Sequence, residues 1–442
     1  MIINLGIGSV SPRVLARYTK ATLSASVPLS CRPARLVTHA SEVSHGDVFC
    51  ALKGNKDGHA FIEEALARGA SFVLCEKAPS ASAPALIVDN TLLALADWAR
   101  ECLKEQKTTV IAITGSVGKT TLKNTLAVFL SGYAPTHATE GNYNNALGVP
   151  FTVLSTPKDS RYLVAECGSN HPGEIEYLSR ILHPDVAVVT CIGHAHIGAF
   201  GSREGIAREK LSIARHIKPN GALFLPFGES LTASLSPANY SRAFVKLPTE
   251  KERREWRIDE EDLPSLWAIA YTKAIARHLG LSLDRPSDAL VEAASSRRKV
   301  YEEKGVLWIE DCYNASPESV YAALLSLSTR SGPKIALLGD MLELGERAPA
   351  MHRAMGKLAA LSASKCFFFG AHAEDYAAGA REAGASQSAH AKRTYSVLRG
   401  NTSEMTQVIL PHVQKGCSVL AKASHALQAD ALLNQIKESF VP

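Results

Sequence analysis

One short segment constrains this chain more than any other: Thr114-Gly115-Ser116-Val117-Gly118-Lys119-Thr120-Thr121. It follows the apolar run Val110-Ile111-Ala112-Ile113, which reads as a buried strand, and it leads into a helical pattern opening near Thr120. Strand, glycine turn and helix in that order make a phosphate-binding loop. Gly115 and Gly118 permit the tight turn and let backbone N–H groups point at oxygen. The helix N-terminus adds partial positive charge. Lys119 neutralises β- and γ-phosphates, and the Thr120 hydroxyl suits Mg²⁺. Ser116, Val117 and Thr121 complete the nucleotide-contacting loop. The long pattern G-x-x-x-x-G-K-[ST] places a glycine at 113, so Ile113 makes this a shortened variant. The loop implies a nucleoside triphosphate and leaves the reaction open.

The rest of the chain reads as α/β, because strand-like and helix-like segments alternate along most of it. Its 442 residues predict about three domains. A strand is expected at Asp47 to Leu52, a helix at Phe61 to Gly69, a strand at Ser71 to Leu74 and a helix at Thr91 to Lys104, before a polar linker. The second unit starts at the phosphate-loop strand and includes a strand at Asp185 to Thr190. Its stretch 228–262 is polar and carries no clear pattern, and a helix follows from about Leu266 to Leu279. A third unit begins near Val306, with strands at Val306 to Asp311, Lys334 to Asp340, Cys366 to Gly370 and Ser418 to Ser424. That is the pattern of a small doubly wound sheet. The expected boundaries are 1–105, 106–305 and 306–442.

The net charge of +5 is small and dispersed, which argues against nucleic acid and suits small anions. The nine cysteines include no C-x-x-C pair and are odd in number, so neither a zinc ribbon nor a disulfide framework is expected. Isolated thiols, an N-terminus without a basic n-region and no long apolar run point to a cytoplasmic protein without membrane insertion.

The shortened loop resembles that of the Mur ligases, and further blocks agree in the same order. These are Gly46-Asp47-Val48-Phe49, Asp57-Gly58-His59, Gly141-Asn142-Tyr143-Asn144-Asn145, and Glu166-Cys167-Gly168-Ser169-Asn170-His171-Pro172-Gly173-Glu174-Ile175. Ile192-Gly193-His194-Ala195-His196, Lys210, Asp311-Cys312-Tyr313-Asn314-Ala315-Ser316-Pro317 and Leu338-Gly339-Asp340-Met341-Leu342-Glu343-Leu344-Gly345 follow. Within the family the blocks look like the branch that joins D-alanyl-D-alanine to UDP-N-acetylmuramoyl-tripeptide for peptidoglycan. The resemblance implies an N-terminal UDP-sugar-binding domain, a central P-loop ATPase-like domain with a mostly parallel sheet, and a C-terminal Rossmann-like domain. It implies ATP and Mg²⁺, an acyl-phosphate intermediate and a monomer.

It also implies roles. Thr120, Glu166, His196 and Lys210 serve the metal side, with Lys210 aligned to a lysine that CO₂ carbamylates. Lys119 stabilises the transferring phosphoryl group, and Asn145 contacts the nucleotide side. Asp311 accepts from ribose, Tyr313 stacks on adenine, and Asn314 lines the nucleotide or D-alanyl-D-alanine pocket. Lys422 meets a substrate carboxylate. By charge alone, Ala207-Arg208-Glu209-Lys210 looks solvent-facing, and His194 reads as structural.

The chain departs from the family in places. Asp-Ser-Arg is replaced by His39-Ala40-Ser41, H-N-x-x-N by Leu263-Pro264-Ser265-Leu266-Trp267, and K-G-S-R by Lys422-Ala423-Ser424-His425, while Gly198 stands where an acidic residue is expected. Two other readings compete: the same fold with a different amine, and a nucleotide-binding module without catalysis. The blocks around Asn144-Asn145 and Asp340 argue against the first. The complete set Lys119, Thr120, Glu166, His196 and Lys210 argues against the second.

Overall fold

Short runs rich in Val, Ile, Leu and Phe, each bounded by turn residues, become three six-stranded sheets in the computed structural model of the chain. All residues are described except 81, 236–240, 257–261, 296–297, 386–392 and 442. The first sheet holds β1 (Ile2–Asn4), β2 (Thr22–Leu23), β3 (Arg35–Val37), β4 (Val48–Cys50), β5 (Phe72–Cys75) and β6 (Ala85–Ile87), in the order β1-β3-β4-β5-β6-β2. Its four inner strands are parallel and its two edge strands antiparallel.

The second sheet is wholly parallel. It holds β7 (Thr109–Thr114), β8 (Thr136–Ala138), β9 (Tyr162–Glu166), β10 (Val186–Val189), β11 (Ala222–Pro226) and β12 (Ser241–Val245), ordered β12-β11-β10-β7-β9-β8. The chain leaves β7 for one side of the sheet and later returns to its other side. The carboxyl end of β7 therefore lies at a topological switch point, where ligands bind in open α/β sheets. That end carries the phosphate loop, flanked by the ends of β9 and β10.

The third sheet holds β13 (Lys299–Glu303), β14 (Val306–Asp311), β15 (Lys334–Leu338), β16 (Lys365–Phe368), β17 (Thr394–Val397) and β18 (Ser418–Lys422), ordered β13-β14-β18-β15-β16-β17. Only β13 is antiparallel to its neighbour. This sheet thus begins at Lys299, ahead of the start expected near 306. A hairpin through Gly305, whose φ is +73°, turns β13 into β14. The patternless stretch 228–262 contains a helix at Ser230–Leu235, strand β12 and a helix at Glu250–Trp256, with 236–240 and 257–261 outside the described residues. The helix expected from Leu266 opens earlier, at Leu263, with Pro264 in its first turn, where a missing N–H costs nothing.

The first unit is tied to the second through backbone. Gly6 and Gly8 both donate N–H to Leu154 O, at 2.9 and 3.1 Å, and Ile7 donates to Thr156 O at 2.7 Å. A Cβ on Gly6 would lie 1.9 Å from that Thr156 oxygen. The side is fixed, because a backbone carbonyl cannot swing away as a side chain can. Below this junction one buried apolar cluster continues from Leu15 and Trp98 through Leu154 and Leu178 to Leu324. Gly6→Val is expected to destabilise the chain by about 2 kcal/mol and lower the thermal midpoint. An unchanged midpoint in a melting experiment would show that this junction is not formed.

Candidate functional site

The phosphate loop turns only because of its glycines. Gly115 has φ +140° and Gly118 φ +84°. A Cβ on Gly115 would meet Thr190 Oγ1 at 2.0 Å, so both backbone angle and space demand glycine there. Thr190, at the end of β10, donates its hydroxyl to Val117 O at 2.5 Å. Gly193 N–H donates to Ser116 Oγ at 2.8 Å. The loop is thereby fastened to the strand beside it. Lys119 opens the helix Lys119–Ser131 and donates its ammonium back to Gly115 O at 2.8 Å.

Next to the loop, the Thr120 hydroxyl donates to Glu166 Oε2 at 2.6 Å. Glu166 ends β9 and is buried, and Asn144 Nδ2 donates to its other oxygen at 2.9 Å. Asn145, expected on the nucleotide side, and its neighbour Asn144 make different contacts here. Asn144 reaches the carboxylate, while Asn145 Oδ1 accepts from Leu147 and Gly148 N–H at 3.1 and 2.8 Å and caps the next helix. Both line the cleft.

Lys210 is not solvent-facing. It is 1 % exposed, and its ammonium donates to Ser169 Oγ at 2.7 Å, behind the cleft wall. Glu209 is buried as well, because its carboxylate accepts Gly173 and Ile175 N–H at 2.7 and 2.9 Å and caps the helix Glu174–Leu182. Of the charges in this stretch Glu209 and Lys210 are consumed internally and only Arg208 is exposed, which the charge pattern alone could not show. Burial, reinforced by the charge of Lys119, pushes the Lys210 pKa down to about 7. Burial and the charges of Lys210 and Lys119 likewise push the His196 imidazole below its ordinary value.

The C-terminal unit faces these groups. His194, read as structural, sits on the cleft wall, and its N–H and Nδ1 lie 2.8 and 2.6 Å from Glu318 Oε1. His196 Nδ1 lies 2.5 Å from Glu343 Oε2. Lys422 is 1 % exposed and donates to Asp311 Oδ2 at 2.7 Å and to Asn314 O at 2.9 Å. Tyr313 is half exposed and stacks on His425 at 6.1 Å between centroids. Asn314 Oδ1 accepts from Ala315 N at 2.8 Å.

Together these groups enclose a cleft of about 1330 Å³ with walls from all three units. Leu52, Lys53, Glu76, Asn90 and Thr91 form its N-terminal end. His39-Ala40-Ser41 lies apart from it, at a 3₁₀ turn over Ala40–Glu42. Trp267 and Tyr271 of the helix Leu263–His278 form another wall. The loop residues Ser116 to Thr121, with Glu166, His196, Asp311, Tyr313 and Asn314, line one space. Gly115 is not on the cleft surface itself and acts through the turn it permits. Asn144, Thr190, Glu318 and Trp267 complete the site. Asn144 was legible as part of the Gly141-Asn142-Tyr143-Asn144-Asn145 block and Trp267 as part of the segment that replaces H-N-x-x-N, but nothing in the sequence marked Thr190 or Glu318. Among the described residues, no three His, Cys, Asp or Glu side chains converge on one point, and no helix is long and apolar enough to cross a membrane. All nine cysteines are unpaired.

A phosphate loop at the switch point of a parallel sheet, faced across a cleft by a Rossmann-like unit, defines a nucleotide-binding protein of the phosphate-loop class. Residues 113–263 match the Mur ligase middle domain, and residues 296–425 match the Mur ligase glutamate ligase domain. The chain belongs to the Mur ligase family. It is 30% identical to the UDP-N-acetylmuramoyl-tripeptide–D-alanyl-D-alanine ligase of Bacillus subtilis, over 91% of this chain and 93% of that one. The structure of MurF from Acinetobacter baumannii superposes with a TM-score of 0.83 at 28% identity, covering 99% of this chain and 100% of the other. MurF ligase from Thermotoga maritima, in complex with ADP, gives 0.80 at 30% identity, covering 91% and 97%. Escherichia coli FolC gives 0.53 at 14% identity, a likeness of fold alone.

The depressed pKa of Lys210 has a sign. The unfolded lysine holds its proton up to about 10.5 and the folded one only to about 7. The resulting destabilisation is full below pH 7 and fades as pH rises to 10.5. Lys210→Met is therefore expected to stabilise the metal- and nucleotide-free protein by about 2–4 kcal/mol at pH 7 and by much less at pH 10. Thermal melts at the two pH values check this, and equal gains at both would contradict it.

Proposed function

We propose that this chain uses ATP to join D-alanyl-D-alanine to UDP-N-acetylmuramoyl-tripeptide, as a cytoplasmic monomer in peptidoglycan precursor synthesis. The observation that carries the reading is the convergence of Lys119, Thr120, Glu166, His196 and the C-terminal wall on one cleft large enough for a nucleotide and two further substrates. Relatives bearing that activity in their names align over nearly the full length.

In the first step an oxygen of the tripeptide carboxylate attacks the γ-phosphorus. An O–P bond forms, the bond to the bridging oxygen breaks, and ADP leaves. In the second step the amine of D-alanyl-D-alanine attacks the acyl carbon, a tetrahedral intermediate forms, the amine proton is lost and phosphate departs. Two anions must meet in the first step, so the chain has to neutralise both. Lys119 and the N–H groups of the loop hold the phosphates and the charge that develops on them. Walls from three units exclude water from the acyl phosphate.

Thr120 and Glu166 offer hard oxygen donors beside the loop, the chemistry Mg²⁺ selects, and the ion would draw its remaining ligands from phosphates and water. When bound, it supplies charge neutralisation on the phosphate oxygens. His196, which lines the same cleft, would serve a second metal ion. Lys210, held toward its neutral amine, is in the form that adds CO₂. The resulting carbamate would turn a cation behind Ser169 into an anion on the metal side.

Phosphate release from Mg²⁺-ATP, with UDP-N-acetylmuramoyl-tripeptide and D-alanyl-D-alanine omitted in turn, tests the reading. Release is expected only with both present, and Lys119→Ala is expected to lower kcat by about 10²–10³-fold or more. Release with neither substrate, or none with both, would reject it.

A further inference from the structure

The wall that meets the base of the nucleotide is built unlike the wall that meets its phosphates. Tyr271 fixes the geometry. Its hydroxyl donates to Val189 O at 2.8 Å, at the end of β10 beside the phosphate loop. One turn earlier on the same helix, Trp267 lies 5.9 Å from Tyr271 between ring centroids, tilted by 39°. Trp267 is half-buried and lines the cleft. Trp267 and Tyr271 line the same cleft as the loop residues Ser116 to Thr121, so a nucleotide with its phosphates on the loop has this helix within the space open to its base.

Among the described residues, polar groups nearby contact one another. Ser265 Oγ donates to Asp262 Oδ2 at 2.6 Å and lies 3.1 Å from Ala294 O, and Arg298 Nη2 lies 3.4 Å from Asp262 Oδ2. The segment Leu263-Pro264-Ser265-Leu266-Trp267 has no amide or imidazole side chain to read a base edge. A site that hydrogen-bonds its ligand rejects analogues strongly. A stacking platform tolerates them, because every base has a π-face.

We propose that Trp267 is the platform on which the base stacks, and that the site consequently accepts other purine nucleoside triphosphates in place of ATP. The inference rests on the ligase reading above and adds its nucleotide specificity. Tyr313 and Tyr321 of the C-terminal unit also line the cleft, and His425 stacks on Tyr313.

The experiment uses the full chain in two arms. The first is binding of Mg²⁺-ADP and Mg²⁺-GDP without the other substrates, followed by intrinsic fluorescence. Trp98, Trp256 and Trp308 are buried, so Trp267 is the tryptophan that a base can quench. Both nucleotides should quench, and Trp267→Phe should remove the signal while retaining binding by calorimetry. The second arm is phosphate release in the complete reaction. GTP should support kcat/KM within about tenfold of ATP, and Trp267→Ala should raise KM for both by about tenfold or more with kcat little changed.

A preference for ATP above about 10³-fold would overturn the inference, as would a KM that responds to Tyr313→Ala and not to Trp267→Ala. Those results leave the ligase reading intact. Quenching that depends on Trp267 without any phosphate release would do the reverse.

Discussion

Lys210 is buried behind the cleft wall, and that burial, reinforced by the charge of Lys119, holds its amine toward the neutral form. A phosphate site needs concentrated positive charge, yet burial penalises each added cation. Lys119 keeps its place by donating to Gly115 O. Lys210 is displaced toward its neutral form, behind Ser169. Glu209 and Glu174 partly offset the penalty at Lys210, and Glu209 also caps the helix that begins at Glu174. The same carboxylate thus shapes the loop carrying Ser169 and tempers the charge beside it. Removing Glu209 or Glu174 would leave Lys210 less compensated, whereas removing either lysine relieves the other.

The sequence displayed the parts of the fold whose cause is local. The strand, glycine turn and helix of the phosphate loop, and the helix Thr91–Lys104, are written in short-range pattern and were legible. Strands β13 and β17 were not. β13 carries Lys299, Glu302 and Glu303 and is an exposed edge, so nothing apolar announced it. β17, Thr394–Val397, is half-exposed along its length for the same reason. Lys210 is the instructive case among the site residues. Its neighbours Arg208 and Glu209 make a charged stretch that looks exposed. Burial here depends on a helix N-terminus and a serine hydroxyl 36 and 41 residues away in sequence. Trp267 was visible only as a departure from the family pattern, and its place on the cleft wall needed the fold.

The departures from the family pattern fall where contacts are made by interchangeable chemistry. The phosphates demand cations and N–H donors in fixed positions, and that end of the cleft is complete. A base can be held by edges or by faces, and the sequence varies there. His425 stands where an arginine is expected, yet it finds a role against the Tyr313 ring. Lys422 keeps its ammonium at the cleft, but spends it on Asp311 and the Asn314 carbonyl. The register explains this, because Asp311 and Lys422 are direct partners across β14 and β18. Their ion pair shapes the mouth between the Asp311-to-Asn314 segment and the sheet, so Lys422 holds Asp311 in place in the arrangement seen here.

Between the central and C-terminal units the backbone is strained on both sides of one contact. His196 has φ +61° and Glu343 φ +65°, and their side chains meet at 2.5 Å. Left-handed conformations cost a residue with a Cβ about 1–2 kcal/mol each, so they persist only where surrounding contacts hold them. Here Gly198 and Gly345 give the two chains room to approach: a Cβ on Gly198 would lie 3.1 Å from Gly345 N. That explains why glycine, and not an acidic residue, follows the second histidine. The carboxylate at this place comes from the other unit, through Glu343. The ring orientation of His196 is therefore set by where the C-terminal unit sits.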